Sequence, residues 1–141
     1  MLVNQIAVFL ENRPGRLNIF AKTLGQAGIN LITMSIADTS DFGVLRAVTN
    51  DNVRAVEILK KAGFTVTSAD LIGIEVPDRA GSLSEVLDEL DRAHIDIEYL
   101  YSFKNDAVKG AIILFKVADN DKTLKILKNN SKIRLLTQQL K

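Results

Sequence analysis

The chain repeats itself. Gly15 stands in Asn12-Arg13-Pro14-Gly15-Arg16-Leu17, and Gly81 stands 66 residues later in Asp78-Arg79-Ala80-Gly81-Ser82-Leu83. At the same offset Ile6 meets Ile72, Val8 meets Ile74, Arg13 meets Arg79, Leu24 meets Leu90, Ala27 meets Ala93 and Ile29 meets Ile95. Self-similarity of this kind constrains architecture before any local reading, because each copy must form its own supersecondary unit. The offset divides the 141 residues into two units, 1–70 and 71–141. Units of roughly 70 residues are near the lower limit for a self-sufficient core, so the halves are expected to pack on each other rather than swing on a linker.

Within the first unit, Ile6, Val8 and Leu10 alternate with Ala7 and Phe9, which predicts a strand from Gln5 to Leu10 with two apolar faces. Leu17, Phe20, Ala21, Leu24 and Ala27 follow at helical spacing. Gly28 stops that helix. Ile29 to Ile36 is rich in β-branched residues and predicts a second strand. Asp38-Thr39-Ser40-Asp41 is a turn, and Gly43 to Thr49 is a third strand. Asn50-Asp51-Asn52 supplies caps for a second helix, Val53 to Ala62, and Gly63 ends it.

Thr65 to Ala69 is expected as the last strand of the first unit and Leu71 to Val76 as the first of the second, with a bend at Ser68-Ala69-Asp70. The second unit repeats the order. Its first helix runs from Leu83 to Ala93, its strands from Ile95 to Phe103 and from Lys109 to Val117. Asp119-Asn120-Asp121 starts its second helix, and Ile133 to Gln138 is a closing strand. The order β-α-β-β-α-β, twice, predicts an α+β fold: two ferredoxin-like modules, each an antiparallel sheet with both helices on one face, packed side by side.

Composition narrows the function. A net charge of +1 gives no electrostatic case for nucleic acid or an anionic membrane. With no cysteine there are no disulfides, thiolate metal sites or thiol nucleophiles within the chain. One histidine leaves no multi-histidine metal site, and no nucleophile–base pair is visible. The residues after Met1 lack the pattern of a signal peptide, and no apolar stretch approaches a membrane span, so a cytoplasmic location is expected.

The repeated corner is where chemistry can occur. Gly15 lacks a Cβ, which lets another molecule approach the backbone. Pro14 suits the first turn of a helix. The amides that follow have no intrahelical acceptor, and the positive end of the helix dipole favours a carboxylate or phosphate. Asn12 and Asp78 are either ligand contacts or only helix N-caps or loop residues. Arg13 and Arg79 either reach an anion or stay solvated. His94 stands where the first unit has a helix-ending glycine, a backbone conformation that histidine tolerates better than most residues.

With these corners on this topology, the chain resembles a tandem pair of ACT domains. Glu11-Asn12-Arg13-Pro14-Gly15-Arg16-Leu17 and Gly28-Ile29-Asn30-Leu31 carry the likeness in the first unit. The second keeps Asp78, Gly81 and Leu83, with Ala80 for the proline, His94 for the glycine and Asp96 for the asparagine. The resemblance implies small modules that bind amino acids and regulate metabolic enzymes, with effectors near the first loop and the start of the second strand, at a contact between modules. Carried over by position, it implies ligand contacts at Asn12, Gly15, Arg16, Leu17 and Asn30, with Arg13 beside them, and at Asp78, Gly81, Ser82, Leu83 and Asp96. Asp78 and Asp96 only accept hydrogen bonds when ionised and would repel a carboxylate, so the first loop is expected to dominate carboxylate capture.

The expected function is therefore a non-catalytic amino-acid-binding regulator of a partner enzyme, working as a homodimer without a cofactor. The alternative is an RNA-binding or protein-interaction module of the same topology. Lys109-Gly110-Ala111-Ile112-Ile113-Leu114-Phe115 begins like the third-strand motif of RNA-recognition domains, but Ala111 and Ile113 stand where stacking aromatics are needed.

Overall fold

The computed structural model describes residues 2–38, 42–106, 108–137 and 140. The chain forms two compact units. Among the described residues the N-terminal unit takes in 4–69 and 140, and the C-terminal unit 2–3 and 70–137.

In the N-terminal unit, β1 (Leu2–Glu11) leads to α1 (Arg16–Gln26), β2 (Leu31–Asp38), β3 (Phe42–Thr49), α2 (Asn52–Lys61) and the start of β4 (Thr65–Val76). The sheet order is β2-β3-β1-β4, the ferredoxin-like arrangement. Register places Val8 opposite Leu45 and Leu45 opposite Ile36, so these three share one sheet face. On that face Ile6, Val8 and Leu10 meet Phe20 and Leu24 of α1 and Ala55 and Leu59 of α2 in one buried cluster. The period-2 pattern of the strand and the period-3.6 pattern of the helices thus converge on one core.

The C-terminal unit continues β4 into α3 (Ser82–Arg92), β5 (Ile97–Phe103), β6 (Ala111–Val117), α4 (Asn120–Lys128) and the short β7 (Arg134–Leu135). Here β4 pairs with β6, β6 with β5, and β7 lies on β4 with Ile74 opposite Leu135. Ile72, Ile74 and Val76 pack with Ile113, Phe115 and Val117, Val86 and Leu90 of α3, and Leu127 of α4.

Three expectations are corrected. Thr65 to Val76 is one continuous strand of 12 residues with no bend at Ser68-Ala69-Asp70. Those residues include neither glycine nor proline, so nothing in the backbone forces the chain out of the extended region. The closing strand is two residues long, not Ile133 to Gln138, and Leu136 then donates its amide to the Gly73 carbonyl at 2.9 Å. The first strand begins at Leu2, not Gln5. The turn expected at Thr39-Ser40-Asp41 and the end of the closing strand at Gln138 lie outside the described residues.

The helix ends follow the sequence. His94 adopts φ 53°, the positive-φ region that Gly28 occupies at the equivalent place with φ 70°. Asp51 caps α2 by accepting the Arg54 amide at 3.0 Å, and Asp119 caps α4 by accepting the Lys122 amide at 2.9 Å.

Candidate functional site at the first corner

Each unit's first helix starts from the same turn. In the N-terminal unit the Arg16 amide donates to the Arg13 carbonyl at 3.3 Å, closing a β-turn with Pro14 and Gly15 at its centre. Gly15 has φ 88° and ψ −15°, the third position of a type II turn, where glycine is favoured and proline precedes it well. Pro14 therefore sits in the turn ahead of the helix rather than in its first helical turn. In the C-terminal unit Ser82 donates to Arg79 at 3.3 Å and Gly81 has φ 88° and ψ −12°. Ala80 replaces the proline without changing the turn, because the third position is the demanding one.

These turns leave the helix starts open. The N-caps are Gly15 and Gly81, and neither helix has a side-chain cap. That excludes Asn12 and Asp78 as N-caps. The residue at the cap position must have a positive φ to close the turn, which glycine alone adopts without strain. The first ladder bonds run from Ile19 to the Gly15 carbonyl at 2.9 Å and from Glu85 to the Gly81 carbonyl at 3.1 Å. The amides of Leu17 and Asn18, and of Leu83 and Ser84, come before those bonds. By contrast, the second helix of each unit is sealed by its own aspartate.

At the first corner the open start faces a cleft of about 170 Å³. Asn12, Arg13, Arg16 and Leu17 line it together with Leu10, Glu11, Ile36 and Gly43. Arg13 is ion-paired with Glu11. Arg16 is in no ion pair among the described residues; its guanidinium lies over the Phe64 ring, 4.6 Å from the centroid, and its Nε is buried without a hydrogen-bond partner. Leu17 is 42% exposed and Ile36 44%, so the cleft has an apolar rim beside a cation and a helix start. Of the sequence candidates, Asn12, Arg13, Arg16 and Leu17 therefore meet in one cleft, with Gly15 shaping its turn. Asn30 does not join them. It precedes β2, while Ile36 is six residues on, roughly 20 Å along the strand. Its backbone exchanges hydrogen bonds with Asn50 instead, at 3.0 and 3.1 Å.

The second corner scatters its candidates. Asp78 is ion-paired with Lys104 at 2.5 Å. The hydrogen bond from that ammonium to Asp78, and then the carboxylate's charge, hold the Lys104 pKa above its ordinary value. Arg79 is paired with Glu85 at 2.7 Å. Asp78 borders one hollow, with Lys109 and Arg134, whereas Ser82 borders another along α3. Leu83 is 36% exposed, and Asp96 precedes β5 as Asn30 precedes β2. Ile36 and Gly43, which complete the first cleft with Leu10 and Glu11, carry no signal in the sequence, because strand pairing alone brings β2 and β3 beside the corner.

The sequence pattern that defines an ACT domain pair matches residues 1–139. The chain belongs to that family. Protein BT0572 from Bacteroides thetaiotaomicron is 37% identical over 96% of this chain and 92% of its own, with a TM-score of 0.89. The ligand-free regulatory subunit of aspartate kinase from Thermus thermophilus shares the ACT-pair fold at TM-score 0.63 and 13% identity, covering 89% of this chain and 90% of that one. The corresponding subunit from Thermus flavus gives TM-score 0.63 at 15% identity, over 92% and 93%. Comparison with curated protein sequences found no match. Among its described residues this ACT domain pair has no cluster of three or more His, Asp or Glu side chains placed to hold a metal ion. None of its described helices is long and apolar enough to cross a membrane.

Proposed function

We propose that this ACT domain pair is a non-catalytic amino-acid sensor that regulates a partner enzyme of amino-acid metabolism. The observation that carries the reading is the uncapped start of α1 opening on a cleft that gathers Asn12, Arg16 and Leu17. The ligand's carboxylate docks on the Leu17 and Asn18 amides at the positive end of α1. Asn12 offers both donors and acceptors to the ammonium or the carboxylate. Leu10, Leu17 and Ile36 receive the ligand's apolar part. Asn30 lies too far along β2 to reach the same ligand within its own unit, so it serves at a contact with a second copy of the chain, in a homodimer. The signal passes to the partner enzyme by a ligand-biased change of conformation or assembly, for which a coupling of about 1–3 kcal/mol is typical.

The RNA-binding alternative is not favoured. Ile113, at a position where a stacking aromatic is needed, is buried in the core of the C-terminal unit.

A thermal-shift screen against the amino acids tests the proposal. A ligand at about 100 times its Kd adds about 2.7 kcal/mol, a rise of about 10 °C for a chain of this size. Asn12→Ala is expected to weaken the responding ligand about tenfold, while Asp78→Ala and Asp96→Ala leave it nearly unchanged. No response to any amino acid, or equal losses in all three variants, contradicts the proposal.

A further inference from the structure

The outer surface of the N-terminal unit's two helices has a chemistry that the fold does not require. Ala55 and Leu59 turn α2 toward the core, so Val53, Arg54, Glu57, Lys60 and Lys61 stand on its solvent side. Phe20 and Leu24 do the same for α1 and leave Ile19 and Lys22 outward. The two helices pack beside each other over one face of the sheet. Four cations, Lys22, Arg54, Lys60 and Lys61, thus share this surface with the exposed carboxylate of Glu57, and none of the five is in an ion pair among the described residues. Asp51 adds a second carboxylate, already engaged by the Arg54 amide.

Two aliphatic side chains on this surface are left in water. Val53 is 76% exposed and Ile19 47%. The C-terminal unit folds without either. At the 66-residue offset Ile19 becomes Glu85, and counted from the caps Asp51 and Asp119, Val53 becomes Asp121. The helix dipole favours an acid in the first turn; α4 has one there and α2 has none. Val53 gives up that gain and buries little in return. Arg16 lies over Phe64, so the start of α1 stands beside the end of α2 and the two helices run antiparallel. Ile19 and Val53 therefore mark opposite ends of the surface, roughly 10 Å apart along the axes, the rise of about seven helical residues.

We propose that this surface docks an acidic amphipathic helix of the partner enzyme, one with two apolar side chains seven residues apart. This rests on the reading that the chain regulates such an enzyme, and adds the place where the enzyme is held. The apolar pair covers Ile19 and Val53, and flanking carboxylates meet Lys22, Arg54, Lys60 and Lys61. Glu57, one turn from Val53, disfavours an unbroken run of acids there. A second copy presenting the same surface is repelled by its cations. Nucleic acid does not fit: Phe20, the one aromatic in either helix, is buried, so no ring is offered to a base.

Fluorescence anisotropy of the full chain with a labelled helical peptide tests it. The probe carries two leucines seven residues apart among glutamates and alanines, and the assay contains no free amino acid. Saturable binding is expected, at least tenfold tighter than for the same peptide with both leucines replaced by alanine, and weaker as salt is raised. Val53→Asp and Ile19→Glu, the exchanges already present in the C-terminal unit, are each expected to weaken it about tenfold, the first without lowering the melting temperature. Lys60→Glu with Lys61→Glu is expected to abolish it, whereas Lys122→Glu on α4 leaves it intact. The first cleft plays no part in this assay, so a chain that ignores every amino acid in the thermal-shift screen can still bind the probe, and a probe that fails to bind leaves that screen untouched. No saturable binding, parity of the leucine-free peptide, an unchanged affinity in Val53→Asp, loss of binding in Lys122→Glu, or tighter binding of single-stranded DNA or phosphatidylglycerol vesicles each overturns the proposal. Self-association of the chain that Val53→Asp abolishes assigns the surface to a second copy and overturns it as well.

Discussion

The N-terminal unit fills the space under its first helix with Arg16, Phe20 and Phe64, whereas the C-terminal unit leaves it to Ser82, Val86 and Ile133. Strand order, turn type and helix starts are otherwise alike. The difference teaches that the frame of such a unit is set by strand and helix periodicity, while a few side-chain volumes decide where it is hollow. The N-terminal unit keeps its cleft on the strand side of α1, and the C-terminal unit has one along the opposite partner of α3, the segment before β7.

The largest effect that tests this contrast is on stability. Phe20 is fully buried, so Phe20→Ala should cost about 3–5 kcal/mol, seen as a lower urea midpoint. Val86→Ala, on the wall of an existing cleft, should cost about 2 kcal/mol or less. Equal losses would mean that the two spaces are filled equally well. Next come the helix starts. Asp51→Ala and Asp119→Ala should each cost about 1 kcal/mol, because each removes a bond to a backbone amide.

A smaller effect tests the units' second helices. Asn52 Oδ1 accepts the Thr49 amide and hydroxyl at 2.9 and 2.8 Å, but the equivalent Asn120 Oδ1 is buried and unpartnered. Valine at 117 has no hydroxyl to offer. Val117→Thr should therefore raise the urea midpoint, by about 0.5–1 kcal/mol in stability. The smallest effect concerns pH. Asp78 raises the pKa of Lys104 in the folded chain, so the pair contributes below the ordinary lysine pKa and loses that contribution as pH rises through the raised value. Both groups are exposed, so Lys104→Met should barely move the midpoint at pH 7, and its difference from wild type should vanish in strong alkali.

Much of this frame was legible in the chain. Asp51 and Asp119 announce the capped helices, and His94 announces a glycine-like turn, because local backbone chemistry governs both. The family likeness rests on the repeated corners, Glu11 to Leu17 with Gly28 to Leu31 and Asp78, Gly81 and Leu83, and covers nearly the whole chain. The continuity of β4 was not legible, since Ser68-Ala69-Asp70 reads as a bend in isolation, yet the strand runs unbroken through it. The cleft along α3 was hidden for a different reason. Its cause pairs Arg16 with Phe64, 48 residues away, and its counterpart Ile133 falls outside the 66-residue offset. Ser82 could be named from the repeat, but which hollow it borders depends on how α3 sits against that segment. Asn30 shows the reverse case: the sequence motif names it beside Asn12, and strand direction sets the two apart within one unit.

The central claim is that the first helix of the N-terminal unit keeps its amides open for a ligand, while the second seals its own. Amide-resolved NMR of the full chain, titrated with the amino acid that most raises the melting temperature, tests this most directly. The account predicts that the Leu17 and Asn18 amide signals move with ligand while those of Val53 and Arg54, under the Asp51 cap, stay in place. Unmoved Leu17 and Asn18 signals at saturation would contradict it.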